Sequence, residues 1–339
     1  MRPSFQPRLV NDPFSDPGLF IPFLFEKRAL MFDLGDLSPL SPKDLLKITH
    51  VFVTHTHMDH FIGFDTLLRT LLGREKTLHL FGPPGFFQHV EGKLAGYTWN
   101  LVSEYDNDFI IEVNEVHPDK ILKKAYRCQD RFKPKKPTSS MPFSGTLLEE
   151  PSFSVHGTLL EHRIPCLGLA LFENFYINII KEGLKDLGLP VGPWLNMFKA
   201  EIYQEKNPQC DFVVTWVGKG KAIQEKRFTL GELVKKIARI SPGQKIVYIT
   251  DVIGNHENAR KIVDLANGAN LLFIEAAFLE SEREMALKKY HLTAREAGEL
   301  ARKAGVNDLH LFHFSPRYKH QAHDLEMEAR EAFNPTKHQ

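Results

Sequence analysis

Three histidines and an aspartate fall within six residues of this chain: His55, His57, Asp59 and His60, in the run KITHVFVTHTHMDHF from Lys47 to Phe61. Neutral imidazoles combined with a carboxylate suit zinc and related divalent ions. The apolar stretch Ile48–Val53 leads directly into them and has the composition of a strand. If that strand continues, His55 and His57 point the same way, because side chains alternate with a period of two. Asp59 and His60 then lie on the turn or helix start beyond and face a second point nearby. The alternative is a surface histidine cluster, and this density immediately after an apolar strand argues against it. One run cannot fill two metal sites, so further ligands must come from elsewhere.

Three later residues have the right chemistry at the right kind of place. His162 lies just past the strand expected at Phe153–Leu160, Asp251 ends the strand Lys245–Thr250, and His313 lies within Leu309–Phe314. Each alone reads equally well as a hydrogen-bonded structural residue. Together with the first cluster they complete two sites.

The elements that must position these residues are short strands alternating with helices. Strands are expected at Phe20–Phe25, Ala29–Phe32, His79–Phe81, Phe109–Val116, Leu167–Phe172 and Asn270–Glu275. Helices are expected at Thr66–Leu72, Phe86–Leu94, Trp99–Tyr105, Thr229–Ile240, His256–Ala266, Thr293–Ala304 and Ala322–Phe333, with Thr229 and Thr293 as N-caps and Glu296 as a capping-box partner. No linker and no repeat breaks the pattern, which predicts one layered α/β domain over 1–339. Two segments stand out. Residues 117–145 are Pro-rich and carry eight Lys/Arg between Lys120 and Lys136, and we expect an inserted loop that is either a solvated surface or a phosphate contact. Residues 173–206 are amphipathic and aromatic, and we expect an arm-like excursion.

The chain has 339 residues, 42% of them hydrophobic, which is ample for a large core. Its net charge of +1 excludes a polycation, so nucleic-acid binding would need a local patch. Three dispersed cysteines, Cys128, Cys166 and Cys210, exclude a disulfide framework and point to a reducing cytoplasmic compartment. No apolar run reaches membrane length, and the charged, Pro-containing stretch at residues 1–18 is not expected to act as a signal peptide.

THTHMDH resembles the HxHxDH signature of the metallo-β-lactamase superfamily. FDLGD (32–36), EHRIPCLG (161–168), LGLPVGP (187–193), YITD (248–251), FIEAAF (273–278), HLTAREAGELA (291–301) and HFSPRY (313–318) narrow the resemblance to ribonuclease Z, which trims the 3′ trailer of precursor tRNA. The resemblance implies the four-layer αββα sandwich of the metallo-β-lactamase fold. It assigns His55, His57 and His162 to one metal, Asp59, His60 and His313 to the other, and Asp251 as a bridge. His310 is an alternative to His313, but the family's histidine precedes Phe-Ser, and here that is His313. Two divalent ions, zinc first, then make water nucleophilic and polarise a phosphate oxygen. Asp59 would accept the water's proton, His291 would protonate the leaving group and Glu275 would orient His291; the competing reading makes His291 and Glu275 packing residues. Asp33 and Asp36 would support the ligands. Arg317 is a candidate phosphate contact, or else a structural ion pair. A precursor-tRNA substrate, a homodimer and products with a 3′-hydroxyl and a 5′-phosphate are also implied.

The chain departs from the family in several places. QPRLVNDPFSDPG replaces the Gly-rich N-terminal segment, Asp251-Val252 replaces Asp-Thr, and the excursion is more apolar than the family's basic arm. Hydrolysis on RNA is therefore set against a second reading: a small-molecule hydrolase for a cyclic nucleotide, phosphodiester or lactone. A third is a non-catalytic binding module, which seven intact ligands oppose.

Overall fold

The computed structural model describes residues 4–133, 139–218 and 222–335. The chain gathers into two compact units where the sequence predicts one. Of the described residues, the larger comprises those within 4–148, 155–171 and 245–335; the smaller comprises those within 149–154 and 172–244. Among the described residues no helix is long and apolar enough to cross a membrane.

The larger unit is built on two sheets. One has eight strands, in the order Arg8–Leu9, Leu19–Pro22, Ala29–Phe32, Ile48–Phe52, Lys76–Gly82, Phe109–Val116, Lys120–Arg127 and Ser139–Pro142. Its four central strands, from Ala29–Phe32 to Phe109–Val116, are mutually parallel. The other sheet has six, in the order Asp308–Phe312, Leu271–Glu275, Lys245–Ile249, Ile164–Glu173, Phe153–His162 and Thr146–Glu150, of which the first three are parallel. Strand alternation divides the apolar residues between two faces. Val51, Leu80 and Val113 turn outward and pack under Leu67, Leu71, Phe86 and Val90 of the helices Phe64–Leu71 and Phe86–Ala95. Phe52 and Phe81 turn inward. Aromatic rings then run from Phe81 to Phe52 (4.7 Å), Phe32 (5.6 Å), Tyr248 (5.9 Å) and Phe312 (4.9 Å), crossing from one sheet to the other. Helices His256–Ala266 and Ala294–Lys303 cover the outer face of the second sheet. Helix, sheet, sheet and helix are the four layers that the sequence predicts. Each fully buried Phe of this core contributes about 1.5–3 kcal/mol.

The basic segment 117–145 is not a loop insertion. Its Lys120–Arg127 and Ser139–Pro142 are the outer strands of the large sheet; residues 134–138 lie outside the described residues. Three of its cations are paired locally: Lys123 with Glu112, Lys124 with Glu91 and Arg127 with Asp108. Neighbouring carboxylates thus neutralise charges that sequence alone leaves free for phosphate.

The smaller unit carries the excursion, which runs on to Gln244 rather than ending at 206. Phe175–Ile179 pairs with Ala238–Pro242, and Asp211–Val217 forms a hairpin with Ile223–Thr229. Trp194, Phe198, Phe212, Leu233 and Ile237 form its own core, so the large aromatic residues Trp194 and Phe198 are buried internally, while Val191 and Met197 stay exposed. Helix Leu230–Ile237 starts with the Thr229–Glu232 capping box but stops before Ala238, where the chain joins a strand. Beyond the smaller unit, Trp99–Tyr105, expected as a helix, holds only the short 3-10 turn Val102–Glu104.

The closing helices of the larger unit, Ala294–Lys303 and Ala322–Phe333, meet at Gly298, where a Cβ would stand 2.1 Å from the Ala329 carbonyl oxygen and 2.9 Å from the Ala332 Cβ. Gly298→Ala should therefore destabilise the protein by about 1–3 kcal/mol, despite its better helix propensity. Urea unfolding measures this, and an unchanged or raised midpoint would contradict the packing described.

Candidate metal centre

The site stands at the ends of strands from both sheets. The strand Ile48–Phe52 delivers Thr54, His55 and His57, and the helical turn Met58–Phe61 carries Asp59 and His60. His162 ends its strand; Asp251, Glu275 and His313 end or follow theirs. Several of these turns are sharp. Asp33, Asp251 and His313 have φ of 57°, 49° and 58°, and Arg163 and Tyr290, next to His162 and His291, have 56° and 63°. Non-glycine residues rarely adopt the left-handed region. Here it bends each chain end so that its side chain turns inward.

All seven predicted ligands converge. His55, His57, His162 and Asp251 form one group of donor atoms within 4.8 Å of one another, and Asp59, His60, Asp251 and His313 form a second. Asp251, Glu275, His291 and His313 form a third, and Asp251 belongs to all three. Its Oδ2 is 3.1 Å from His55 Nε2, 2.9 Å from His60 Nε2 and 3.9 Å from His162 Nε2, and its Oδ1 is 2.9 Å from His313 Nδ1. Asp59 Oδ2 is 3.3 Å from His313 Nε2. His310 lies apart, beside Asp308 and stacked on Phe273.

The donor set fits divalent cations. Among the described residues, His55 Nε2, His60 Nε2, Asp251 Oδ1 and His313 Nδ1 are buried facing one another, with no hydrogen bond of good geometry. Such atoms cost about 1–3 kcal/mol each when left unpaired. Four of them aimed at one small region make a cradle for positive charge. The opposite edges of the rings are held. His60 Nδ1 is 2.9 Å from Asp33 Oδ2, His162 Nδ1 is 2.7 Å from the Tyr290 carbonyl, and His55 Nδ1 is 3.1 Å from Thr54 Oγ1. Each bond fixes the ring orientation and leaves Nε2 for an ion.

Asp33 is the hub of this support. Fully buried, it accepts hydrogen bonds from Thr54 N (2.7 Å), Thr54 Oγ1 (3.0 Å) and Tyr248 Oη (3.1 Å) in addition to facing His60. Asp36, expected beside it, is exposed and instead accepts from Ser38 N and Oγ, closing a local turn.

Electrostatics divides the ligands. Burial lowers the pKa of His55, His57 and His162, which keeps these rings neutral. Burial also acts to lower His60 and His313, but the Asp251 carboxylate and its neighbours outweigh it and hold both well above the usual range. Metal binding there competes with protons.

His291 and Glu275 are brought together at the same place. His291 Nδ1 is 2.8 Å from Glu275 Oε2 and 3.4 Å from Asp251 Oδ1. Glu275, fully buried, also accepts from Val252 N (2.9 Å) and Leu292 N (3.3 Å), which locks the segment ahead of the Thr293 capping box. With Nδ1 held by Glu275, His291 lines a cavity of about 490 Å³ together with Asp59 and His313. Arg317 lies at this cavity, but Glu282 takes its guanidinium at 2.7 and 2.8 Å and Phe278 lies beneath it; here it is an ion-pair residue. The sequence reading missed Tyr248 as a support, and it missed Phe14, Asp16 and Lys289, which line the cavity. YITD signalled Tyr248, whereas no motif signals the other three.

Comparison with known proteins agrees with this geometry. The sequence matches the beta-lactamase superfamily domain over residues 9–124. It is 30% identical over 325 residues to a protein named Ribonuclease Z from Exiguobacterium sibiricum, covering 92% of this chain and 88% of that protein. The chain belongs to the ribonuclease Z family. A second member, Ribonuclease Z from Deinococcus radiodurans, is 28% identical over 298 residues, covering 86% of this chain and 83% of that one. Among solved structures, the metallo-beta-lactamase fold protein YhfI from Bacillus subtilis superposes with a TM-score of 0.55 at 15% identity, covering 97% of this chain and 94% of that one, and so shares the fold. This fold binds divalent metal, and the His/Asp groups present here are able to hold it.

Asp33→Asn should weaken divalent-ion affinity roughly ten- to a hundredfold, because His60 loses the charge that orients it. Competition with a chromogenic chelator reads this directly. Wild-type affinity in the variant would remove Asp33 from the account.

Proposed function

We propose that this protein is a two-metal endonuclease on RNA that removes the 3′ trailer of precursor tRNA, with zinc as the ion. The observation that carries the reading is the convergence of His55, His57, Asp59, His60, His162, Asp251 and His313 on two adjacent points, with the His291–Glu275 pair beside them. Membership of the ribonuclease Z family supplies the substrate class. When bound, the ions provide Lewis acidity toward phosphate oxygens and make water a nucleophile at neutral pH. Asp59 is half-exposed at the cavity and is the group to accept that water's proton. His291 gives a proton to the departing ribose oxygen. Burial alone would lower its pKa, but the Glu275 carboxylate raises it on balance, which favours the protonated imidazole that this role requires. The products carry a 3′-hydroxyl and a 5′-phosphate.

Two cations are offered for the RNA backbone, one beside a ligand and one at the cavity. Arg163 donates to the Lys288 carbonyl at 2.7 Å and lies 4.7 Å above the Tyr290 ring, so its guanidinium is already ordered next to His162. Lys289 lines the cavity itself. A small nucleotide phosphodiester is the second reading, favoured by a cavity large enough for about one nucleotide. The family resemblance further implies a homodimer, which sedimentation would test. Cytoplasmic residence is supported by three unpaired cysteines.

Incubating zinc-loaded protein with a precursor tRNA, and separately with an aryl phosphodiester, tests the reading; hydrolysis of the ester alone overturns the RNA assignment. His291→Ala should retain two bound ions per chain while kcat falls roughly 10²–10⁴-fold, and metal analysis with single-turnover kinetics separates the two effects. RNA affinity should fall linearly in log–log form with salt, and Arg163→Ala or Lys289→Ala should each reduce that slope by about one. A salt-independent affinity would point to the small substrate.

A further inference from the structure

We infer that the loop Asn11–Gly18 is a nucleoside-reading element, in which Phe14 offers a face to a base and Asp16 accepts a hydrogen bond from a donor on the nucleoside next to the scissile phosphate. The inference rests on the phosphodiesterase reading above and names the part of the substrate this loop selects.

The loop is tightly fixed. Asp12 Oδ1 accepts from Phe14 N (2.9 Å), and its Oδ2 accepts from Ser15 Oγ (2.6 Å). Asn11 Nδ2 donates to the carbonyls of Asp16 (2.7 Å) and Asp36 (2.9 Å). Val10 N closes the base of the loop onto the Gly18 carbonyl at 2.9 Å. The loop is also tied to the metal centre, since Phe314 N, immediately after His313, donates to the Pro13 carbonyl at 2.7 Å, and the Phe14 and Phe314 rings meet edge to face at 5.3 Å. At Gly35 a Cβ would stand 2.5 Å from the Pro17 carbonyl oxygen and 2.8 Å from the Asp16 Cβ, so the loop is seated without a gap.

What this loop presents is unusual for a phosphate-handling site. Phe14 and Asp16 line the same cavity as Asp59, His291 and His313. No donor bonds the Asp16 carboxylate among the described residues, although it is partly buried and feels the charge of Asp59. It belongs to none of the groups whose donor atoms lie within 4.8 Å of one another. A half-buried carboxylate on a cavity wall repels phosphate and favours a neutral or positive donor on the molecule that fills the cavity. A flat aromatic residue two positions away makes a nucleoside the fitting group. Two nucleoside groups supply such a donor: a ribose hydroxyl and an exocyclic amine.

The test uses two chromogenic substrates with zinc-loaded full-length protein: the p-nitrophenyl ester of a nucleoside 5′-monophosphate, and bis(p-nitrophenyl) phosphate, which has no nucleoside. Asp16→Ala should lower kcat/KM for the nucleotide ester roughly ten- to a hundredfold more than for the bis-aryl ester, mainly through KM, and Asp16→Asn should lie between. The inhibition constant of the product nucleotide, a readout free of turnover, should weaken in parallel. Ribose and 2′-deoxyribose esters, and cytidine and uridine esters, identify the donor: the preference that Asp16→Ala abolishes marks the group it reads. Equal losses on both esters, or a wild-type enzyme without either preference, would overturn the proposal. Thermal melting of the isosteric Asp16→Asn checks that the fold is kept. A protein that discriminates nucleosides yet leaves precursor tRNA uncut supports the loop assignment while refuting the RNA reading.

Discussion

Everything in this molecule turns on one buried carboxylate. Asp251 has almost no solvent contact and is ringed by the imidazoles of His55, His60, His162, His291 and His313, all within 3.9 Å. A carboxylate in that position requires positive charge, whether protons on the histidines or divalent ions among them. The requirement reaches outward. Asp33 holds His60, Tyr248 and Thr54 hold Asp33, and Glu275 holds His291. Tyr248 and Phe32 belong to opposite sheets and touch just below the site. The aromatic layer between the sheets is therefore continuous with the polar network that orients the ligands.

The first cluster was legible in the local sequence because its residues follow an apolar strand, and a strand that ends in the core can be recognised by composition. Ala29–Phe32, Phe109–Val116, His256–Ala266 and Ala322–Phe333 appear with the bounds expected. Positions where sequence reading fell short share a cause: partners distant along the chain. Lys120–Arg127 reads as a basic loop until Glu112, Glu91 and Asp108 neutralise it across neighbouring elements. The excursion looks like an exposed apolar arm until residues 207–244 return to give Trp194 and Phe198 a core of their own. Thr229–Ile240 has a helical pattern throughout, but Ala238–Pro242 is claimed by pairing with Phe175–Ile179. In each case a non-local contact overrode a correct local preference.

Convergence itself was not legible from residue spacing. His162, Asp251 and His313 carry no local mark that separates a ligand from a hydrogen-bonded structural residue, and only the family resemblance joined them to the first cluster. The structure adds the physical reason they meet. The strands from both sheets end at the same edge of the sandwich, where ligands of open α/β sheets gather. Left-handed backbone at Asp33, Asp251 and His313 then turns those side chains inward. Such strain is tolerated where surrounding bonds over-determine it, as the four contacts of Asp33 do.

Charges of both signs line the cavity. Lys289 brings a cation to it, whereas Asp16 brings a carboxylate that feels Asp59, His60 and His313. A uniformly cationic rim would bind any polyanion and hold its product equally well. A rim with one anionic wall disfavours a phosphate there and leaves that side to an uncharged part of the substrate. On the reading proposed above, phosphate meets Lys289 while a nucleoside lies against Phe14 and Asp16. The net charge of +1 is compatible with RNA binding on these terms, because orientation depends on where the few cations stand and not on how many the chain carries.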